Sequence, residues 1–169
     1  MKVKLLVLDI DGVLTDGRVI IDSFNNEYKS INYRDLDGIN WLKRQGLNLA
    51  LLTGENTVFV DAIAKRFGIT NIIKGTKDKG KALAQLSESF KVPLSSICYI
   101  GDSERDAAAL KLCGLSIVPQ DASKKAKKIA LVILKSKGGY GVICEVIEYL
   151  IENEYLEASD LQSDADQSF

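Results

Sequence analysis

Asp9 and Asp11 stand one residue apart at the end of an apolar run, Leu5-Leu6-Val7-Leu8, and Gly12 follows them. An apolar run this short, closed by a turn residue, reads as a strand buried on both faces. In an open parallel sheet, ligands bind beyond the carboxyl ends of the strands, so the pair is predicted at the mouth of a site. At positions i and i+2 the two side chains share one face if the strand continues. Two carboxylates that close ionise together only when a cation joins them. Oxygen donors alone suit a hard divalent ion, magnesium foremost. Asp and Gly also mark ordinary turns. What distinguishes this pair is the apolar strand before it and the matching polar groups further along the chain.

Leu51-Leu52-Thr53-Gly54-Glu55 ends a second apolar run with a hydroxyl, and Gly54 lets backbone N–H groups approach an anion. Lys79 follows Gly75-Thr76-Lys77-Asp78 just inside a predicted helix, where an ammonium can neutralise a phosphate as a point charge. Tyr99-Ile100-Gly101-Asp102-Ser103-Glu104-Arg105-Asp106 repeats the opening pattern, with Asp102 and Asp106 behind an apolar strand. Each has a plain reading alone: Thr53 as a helix cap, Lys79 as a solvated lysine, Asp102 as a turn residue. Together they describe a metal flanked by anion donors, which is what phosphoryl transfer needs. The chain has no histidine, so acid–base work falls to carboxylates, Lys, Tyr or Cys.

The elements that position these residues alternate. Strands are predicted at the opening run and over 47–52, 71–74, 96–100, 115–118 and 131–134. Helices are predicted over 35–45, 56–67, 77–90, 105–113, 122–129 and 140–155, several bounded by capping residues and glycines. Alternation of this kind predicts an α/β fold, a Rossmann-like doubly wound parallel sheet with right-handed crossovers. Arg18–Asp22 and Tyr28–Tyr33, around Ser23–Glu27, read as a β-hairpin that protrudes beside the acidic loop. A hairpin alone is marginally stable, so it is expected to pack against another subunit. Residues 1–155 form the expected domain. The Ser-, Asp- and Gln-rich stretch 156–169 is expected to be a disordered tail.

The totals exclude several classes. Length bounds the chain to one domain, and 46% hydrophobic with 27% charged residues is ordinary for a soluble globular protein. A net charge of −1 gives no basic field for nucleic acid, and the basic cluster Lys124–Lys128 reads as a solvated helix face. No apolar run approaches membrane-spanning length, and Met1-Lys2-Val3-Lys4 runs straight into the first strand, so neither membrane span nor signal peptide is expected. Cys98, Cys113 and Cys144, odd in number and far apart, read as core thiols in a reducing cytoplasm.

The order Asp9-x-Asp11, Thr53, Lys79, Gly101-Asp102-x3-Asp106 resembles the haloacid dehalogenase (HAD) superfamily of aspartyl phosphatases, with all four of its motifs in sequence. Asp9–Gly17, Lys29–Gly38 and Gly138-Gly139-Tyr140-Gly141-Val142 resemble its capless branch. That branch includes the phosphatases of 3-deoxy-D-manno-octulosonate (KDO) 8-phosphate and of nine-carbon sugar acid (nonulosonate) 9-phosphates. The resemblance implies an HAD-like fold without an inserted cap domain. It makes Asp9 the nucleophile and Asp11 the acid and base. Thr53, Gly54 and Lys79 become phosphate ligands. Magnesium would be held by Asp9, the carbonyl of Asp11, and Asp102, with Asp106 orienting that shell or Lys79. It also implies a homotetramer in which a neighbouring subunit covers the site. Three departures stand out: Ser103 replaces a second Asp, Cys144 replaces an Arg, and Thr53-Gly54-Glu55 replaces the Gly-Arg usual in octulosonate enzymes. Glu55 with Arg66 is similar to the nonulosonate phosphatases, which would put Arg66 on a substrate carboxylate and Glu55 on its hydroxyls. A phosphorelay receiver also uses an acidic cluster, a Thr and a Lys, but its phosphoacceptor lies on a middle strand. A non-catalytic oligomerisation module and a phosphatase of other small sugar phosphates are the remaining alternatives. A phosphomutase would need a cap to retain its intermediate.

Overall fold

The computed structural model describes residues 1–157. Among the described residues eight strands and six α-helices follow one another in the predicted alternation. The strands are β1 (Leu5–Leu8), β2 (Ile20–Ile21), β3 (Glu27–Tyr28), β4 (Asn48–Leu52), β5 (Ile72–Ile73), β6 (Ile97–Ile100), β7 (Leu115–Val118) and β8 (Val132–Ile133). The helices are α1 (Tyr33–Arg44), α2 (Val58–Phe67), α3 (Lys79–Phe90), α4 (Ala107–Leu112), α5 (Lys124–Ile129) and α6 (Val142–Glu152). Six strands make one sheet in the order β5-β4-β1-β6-β7-β8, every pair parallel. The strand order reverses on either side of β1, which is where doubly wound sheets open a binding crevice.

Side chains alternate between two apolar layers, as the pleat requires. Leu6, Leu8, Leu51, Cys98 and Ile100 point into the layer shared with α1, α2 and α6. Leu5, Val7, Leu52, Ile97 and Tyr99 point into the other, with α3 and α4. All four β1 residues are fully buried, so the continuous apolar run has a direct cause. Asn32 caps α1 by accepting from the Arg34 N–H, Asp78 caps α3 by accepting from the Lys81 N–H, and Gly68 stops α2 at a φ of 61°.

Register delivers the polar residues to one edge. Leu8 lies opposite Leu51 on one side and Ile100 on the other. The chain beyond each strand therefore emerges level: Asp9 after β1, Thr53 after β4, Gly101 and Asp102 after β6.

Several boundaries differ from the sequence reading. The hairpin ladder is only two residues a side, Ile20–Ile21 against Glu27–Tyr28, because the chain after Tyr28 leaves it to bring Lys29 to Asp11. The helix expected from 105 starts as a 3-10 turn over Glu104–Asp106, and α4 begins at Ala107. The Ser123 hydroxyl accepts from the Ala126 N–H and delays α5 to Lys124. Leu156, assigned to the tail from sequence, packs on the core beside Tyr155, whose carbonyl accepts from the Val3 N–H at 2.9 Å. The expectation of disorder over 158–169 lies outside the described residues. No described helix is long and apolar enough to cross a membrane. All three cysteines are free thiols.

Candidate active site

Beyond the ends of β1, β4 and β6 lies a cleft of about 220 Å³. Asp9, Asp11, Thr53, Gly54, Glu55, Lys79 and Asp102 line it, together with Gly12, Ser103 and Arg105. A larger hollow of about 510 Å³, lined by Arg18, Lys135 and Tyr140 among others, shares none of these side chains.

Lys79, the first residue of α3, is the centre of the charge network. Its Nζ lies 2.5 Å from Asp9 Oδ2 and 2.6 Å from Asp106 Oδ1, and its side chain is only 3% exposed. Lysine is almost never buried unless it is paired. Burial opposes the Lys79 charge, but Asp9 and Asp106 outweigh it and hold the pKa above the ordinary lysine value. The two carboxylates do not share this cation equally. Asp106 also accepts from the Tyr99 hydroxyl at 2.5 Å, the Asp102 N–H at 3.0 Å, the Ser103 N–H at 2.8 Å and the Ser103 hydroxyl at 2.9 Å. Burial pushes Asp106 up, yet Lys79 and these hydrogen bonds overcome it and leave its pKa below the usual value. Among the described residues Asp9 accepts only from the Ile10 N–H, at 2.8 Å, besides Lys79. Burial, with the like charge of Asp106 added, pushes Asp9 up to about 7 despite Lys79.

Asp102 shares this imbalance. Burial first and then the Asp106 charge push it up to about 6. Among the described residues no other side chain donates a hydrogen bond to its carboxylate. Gly12, at a φ of +78°, makes room for it: a Cβ there would overlap the Asp102 carboxylate. Carboxylate oxygens of Asp9, Asp102 and Asp106 all lie within 4.8 Å of one another. Both Asp106 oxygens are already taken by five donors. That leaves buried Asp9 and half-buried Asp102 as two carboxylates with too little positive charge between them, a donor set that fits a hard divalent cation.

The remaining predicted residues divide. Thr53 is buried, its Oγ1 accepting from the Glu55 N–H at 3.1 Å, so the hydroxyl also shapes the turn that carries Gly54. Glu55 lines the cleft. Arg66 does not. It sits in the last turn of α2, where its guanidinium donates to the Tyr33 hydroxyl at 2.8 Å and stacks over that ring. The ten-residue helix carries it away from the loop that holds Glu55, so within one chain the two are not brought together. The Asp11 carboxylate is outside the tight acidic cluster and pairs with Lys29 Nζ at 2.8 Å. At the departures, Ser103 braces Asp106, and the Cys144 thiol donates to the Arg34 carbonyl at 3.4 Å.

Sequence reasoning missed Lys29, Arg105 and the brace beneath the loop. Nothing along the chain signals that Lys29, eighteen residues on, returns to Asp11. The Gly138-Gly139 pair packs against the backbone of Gly12, Thr15 and Asp16, and the Gly139 N–H donates to the Val13 carbonyl at 2.9 Å. That motif supports the acidic loop from below.

Comparison with known proteins bears on this geometry. A family model described as haloacid dehalogenase-like hydrolase matches residues 62–147. Over 150 residues the chain is 30% identical to the 3-deoxy-D-manno-octulosonate 8-phosphate phosphatase of Yersinia pestis, covering 89% of this chain and 80% of that protein. The chain belongs to the haloacid dehalogenase-like hydrolases. It is a phosphoric monoester hydrolase of that family. Among solved structures, the octulosonate 8-phosphate phosphatase of Moraxella catarrhalis, in complex with magnesium, phosphate and KDO, matches with a TM-score of 0.85 at 34% identity, covering 90% of this chain and 89% of that one. The cobalt-bound phosphatase of Haemophilus influenzae matches with a TM-score of 0.84 at 29% identity, covering 89% and 88%. The fold of this haloacid dehalogenase-like hydrolase is therefore shared along almost all of the described chain.

Proposed function

We propose that this hydrolase cleaves the phosphate monoester of a 2-keto-3-deoxy sugar acid, KDO 8-phosphate or a nonulosonate 9-phosphate, with magnesium as its cofactor. The observation that carries this reading is the imbalance at the cleft: Asp9 and Asp102 converge there, pushed up to about 7 and about 6, while the Lys79 ammonium is held between Asp9 and Asp106. Magnesium would be held by Asp9, the Asp11 carbonyl and Asp102, and would supply the positive charge that lets Asp9 approach a phosphate dianion.

The chain's own groups then divide the work. Asp9 attacks phosphorus; the new bond joins its carboxylate oxygen to phosphorus while the ester bond to the sugar oxygen breaks. Asp11 gives its proton to the departing sugar alkoxide. Thr53, the backbone at Gly54, and Lys79 hold the phosphoryl oxygens. Asp106 keeps Lys79 charged and aimed. A water then attacks the aspartyl-phosphate, Asp11 takes its proton, and phosphate leaves with Asp9 restored.

The substrate class rests on the named relatives and on Glu55 at the cleft rim, suited to sugar hydroxyls. Arg66 does not line its own cleft, so its proposed pairing with a substrate carboxylate requires a neighbouring subunit's cleft. An assembly is supported by the hairpin: Ile20 is 68% and Phe24 85% exposed, and Val58 nearby in sequence to the Glu55 turn is 84% exposed. Exposed apolar residues grouped on one hairpin support an interface there, and the protein acts as a homotetramer in the cytoplasm on this proposal. A phosphate-release panel with magnesium tests the substrate. Sugar acid phosphates should be turned over in preference to hexose phosphates. The opposite preference would refute the sugar acid assignment. Sedimentation equilibrium tests the tetramer, which a monomeric mass would refute.

A further inference from the structure

Lys29 lies one residue beyond β3, yet its side chain turns inward and is only 9% exposed. Two contacts fix its ammonium. It donates to Asp11 Oδ1 at 2.8 Å, and it stands 5.1 Å from the centre of the Phe59 ring on α2. A carboxylate and an aromatic face together hold a buried ammonium where either alone holds it weakly. Asp11 Oδ1 has a second donor, the hydroxyl of fully buried Thr15 at 3.3 Å, and that hydroxyl in turn accepts from the Gly12 and Gly17 N–H groups. Among the described residues Asp11 Oδ2 accepts no hydrogen bond.

We propose that Lys29 is a positioning residue for the acid–base step. It locks Asp11 through Oδ1 and so leaves Oδ2 as the oxygen that serves the ester. Because Lys29 hangs from the hairpin, the orientation of Asp11 depends on where the hairpin sits. This inference rests on the assignment of Asp11 to proton transfer made above.

Leaving-group dependence separates positioning from mere structural support. An alkyl ester needs a proton on its departing oxygen; para-nitrophenyl phosphate releases a stable phenolate without one. The ratio kcat/KM reports only steps through phosphoryl transfer, so the later hydrolysis of the aspartyl-phosphate does not enter. Lys29→Met keeps the apolar stem and removes the ammonium. Its kcat/KM on KDO 8-phosphate should fall by roughly ten-fold or more, a part of the roughly 100- to 10,000-fold that general acid catalysis contributes, because Asp11 itself remains. On para-nitrophenyl phosphate it should change less than about three-fold, since that ester does not draw on the acid. Lys29→Arg should restore most of the loss. Phe59→Leu, which removes one wall and keeps the ammonium, should show the same selectivity at smaller size, and it carries the test if Lys29→Met does not fold. Equal losses on both esters, or no loss on either, would overturn the Lys29 assignment while wild-type turnover left the phosphatase reading standing. Absence of wild-type turnover of both esters would overturn both.

Discussion

Replacing Asp106 with Asn probes the network that holds the cleft. The side chain is fully buried and receives five donors: Lys79, Tyr99, the N–H groups of Asp102 and Ser103, and the Ser103 hydroxyl. An amide has the same shape but one acceptor oxygen. If that oxygen faces Asp102 and Ser103, the NH2 faces the Lys79 ammonium; if it faces Lys79, the NH2 faces two backbone N–H groups. Either way buried donors lose their acceptor and Lys79 loses half of its countercharge. Breaking a buried ion pair by removing one partner costs about 3–5 kcal/mol. The like-charge pressure on Asp9 is relieved at the same time, which favours the lower end, about 3 kcal/mol. For a chain of this length each kcal/mol moves Tm by about 2–4 °C, so a fall of roughly 6–12 °C is expected. Differential scanning calorimetry in the presence of a chelator measures it with metal binding set aside. A fall below about 2 °C would refute the reasoning. It would mean that Asp106 acts mainly as a metal ligand and not as the anchor of Lys79.

Three further outcomes are expected. Metal-free Asp9 and Asp102 are pushed up to about 7 and about 6 from 3.8. The folded state therefore keeps protons that the unfolded chain gives up between about pH 4 and 7, and metal-free stability from these groups declines as pH rises through that window. Magnesium must displace the same protons, so its stabilisation in a thermal-shift titration should be small near pH 5 and grow toward pH 8; a pH-independent shift would count against these ligands. Gly12→Ala should cost about 1–2 kcal/mol for a side chain at positive φ, and it should also weaken magnesium binding in calorimetry because the new methyl displaces Asp102. Unchanged affinity would remove Asp102 from the ligand set. Asp11→Asn should reproduce the ester selectivity predicted for Lys29→Met, and equal loss on both esters would argue that Asp11 does not protonate the leaving group.

Much of the fold was legible because buried parallel strands carry their own label. The Leu5–Leu8 run is apolar on both faces for the same reason that it is central, between β4 and β6. Asp9, Thr53, Lys79 and Asp102 could be brought together on paper because each follows or opens a regular element, and parallel register makes strand ends level. What escaped prediction depends on irregular backbone. Lys29 meets Asp11 only because the hairpin ladder stops after two pairs, a length that hydrophobic pattern does not set. The resemblance pairs Arg66 with Glu55, but the intervening helix α2 separates them along its axis, and the Tyr33 hydroxyl takes its guanidinium instead. The brace from Gly138 and Gly139 crosses more than a hundred residues to reach the acidic loop, and only the closed fold reveals it.

Trapping of the phosphoryl group on the chain itself tests the central claim most directly. The protein is mixed with magnesium and a 32P-labelled sugar acid phosphate, quenched in acid within one turnover, digested and mapped. Label on the peptide containing Asp9, absent with a chelator and absent in Asp9→Asn, is the predicted result. Turnover by the wild type with no labelled peptide, or label that survives in Asp9→Asn, would contradict it.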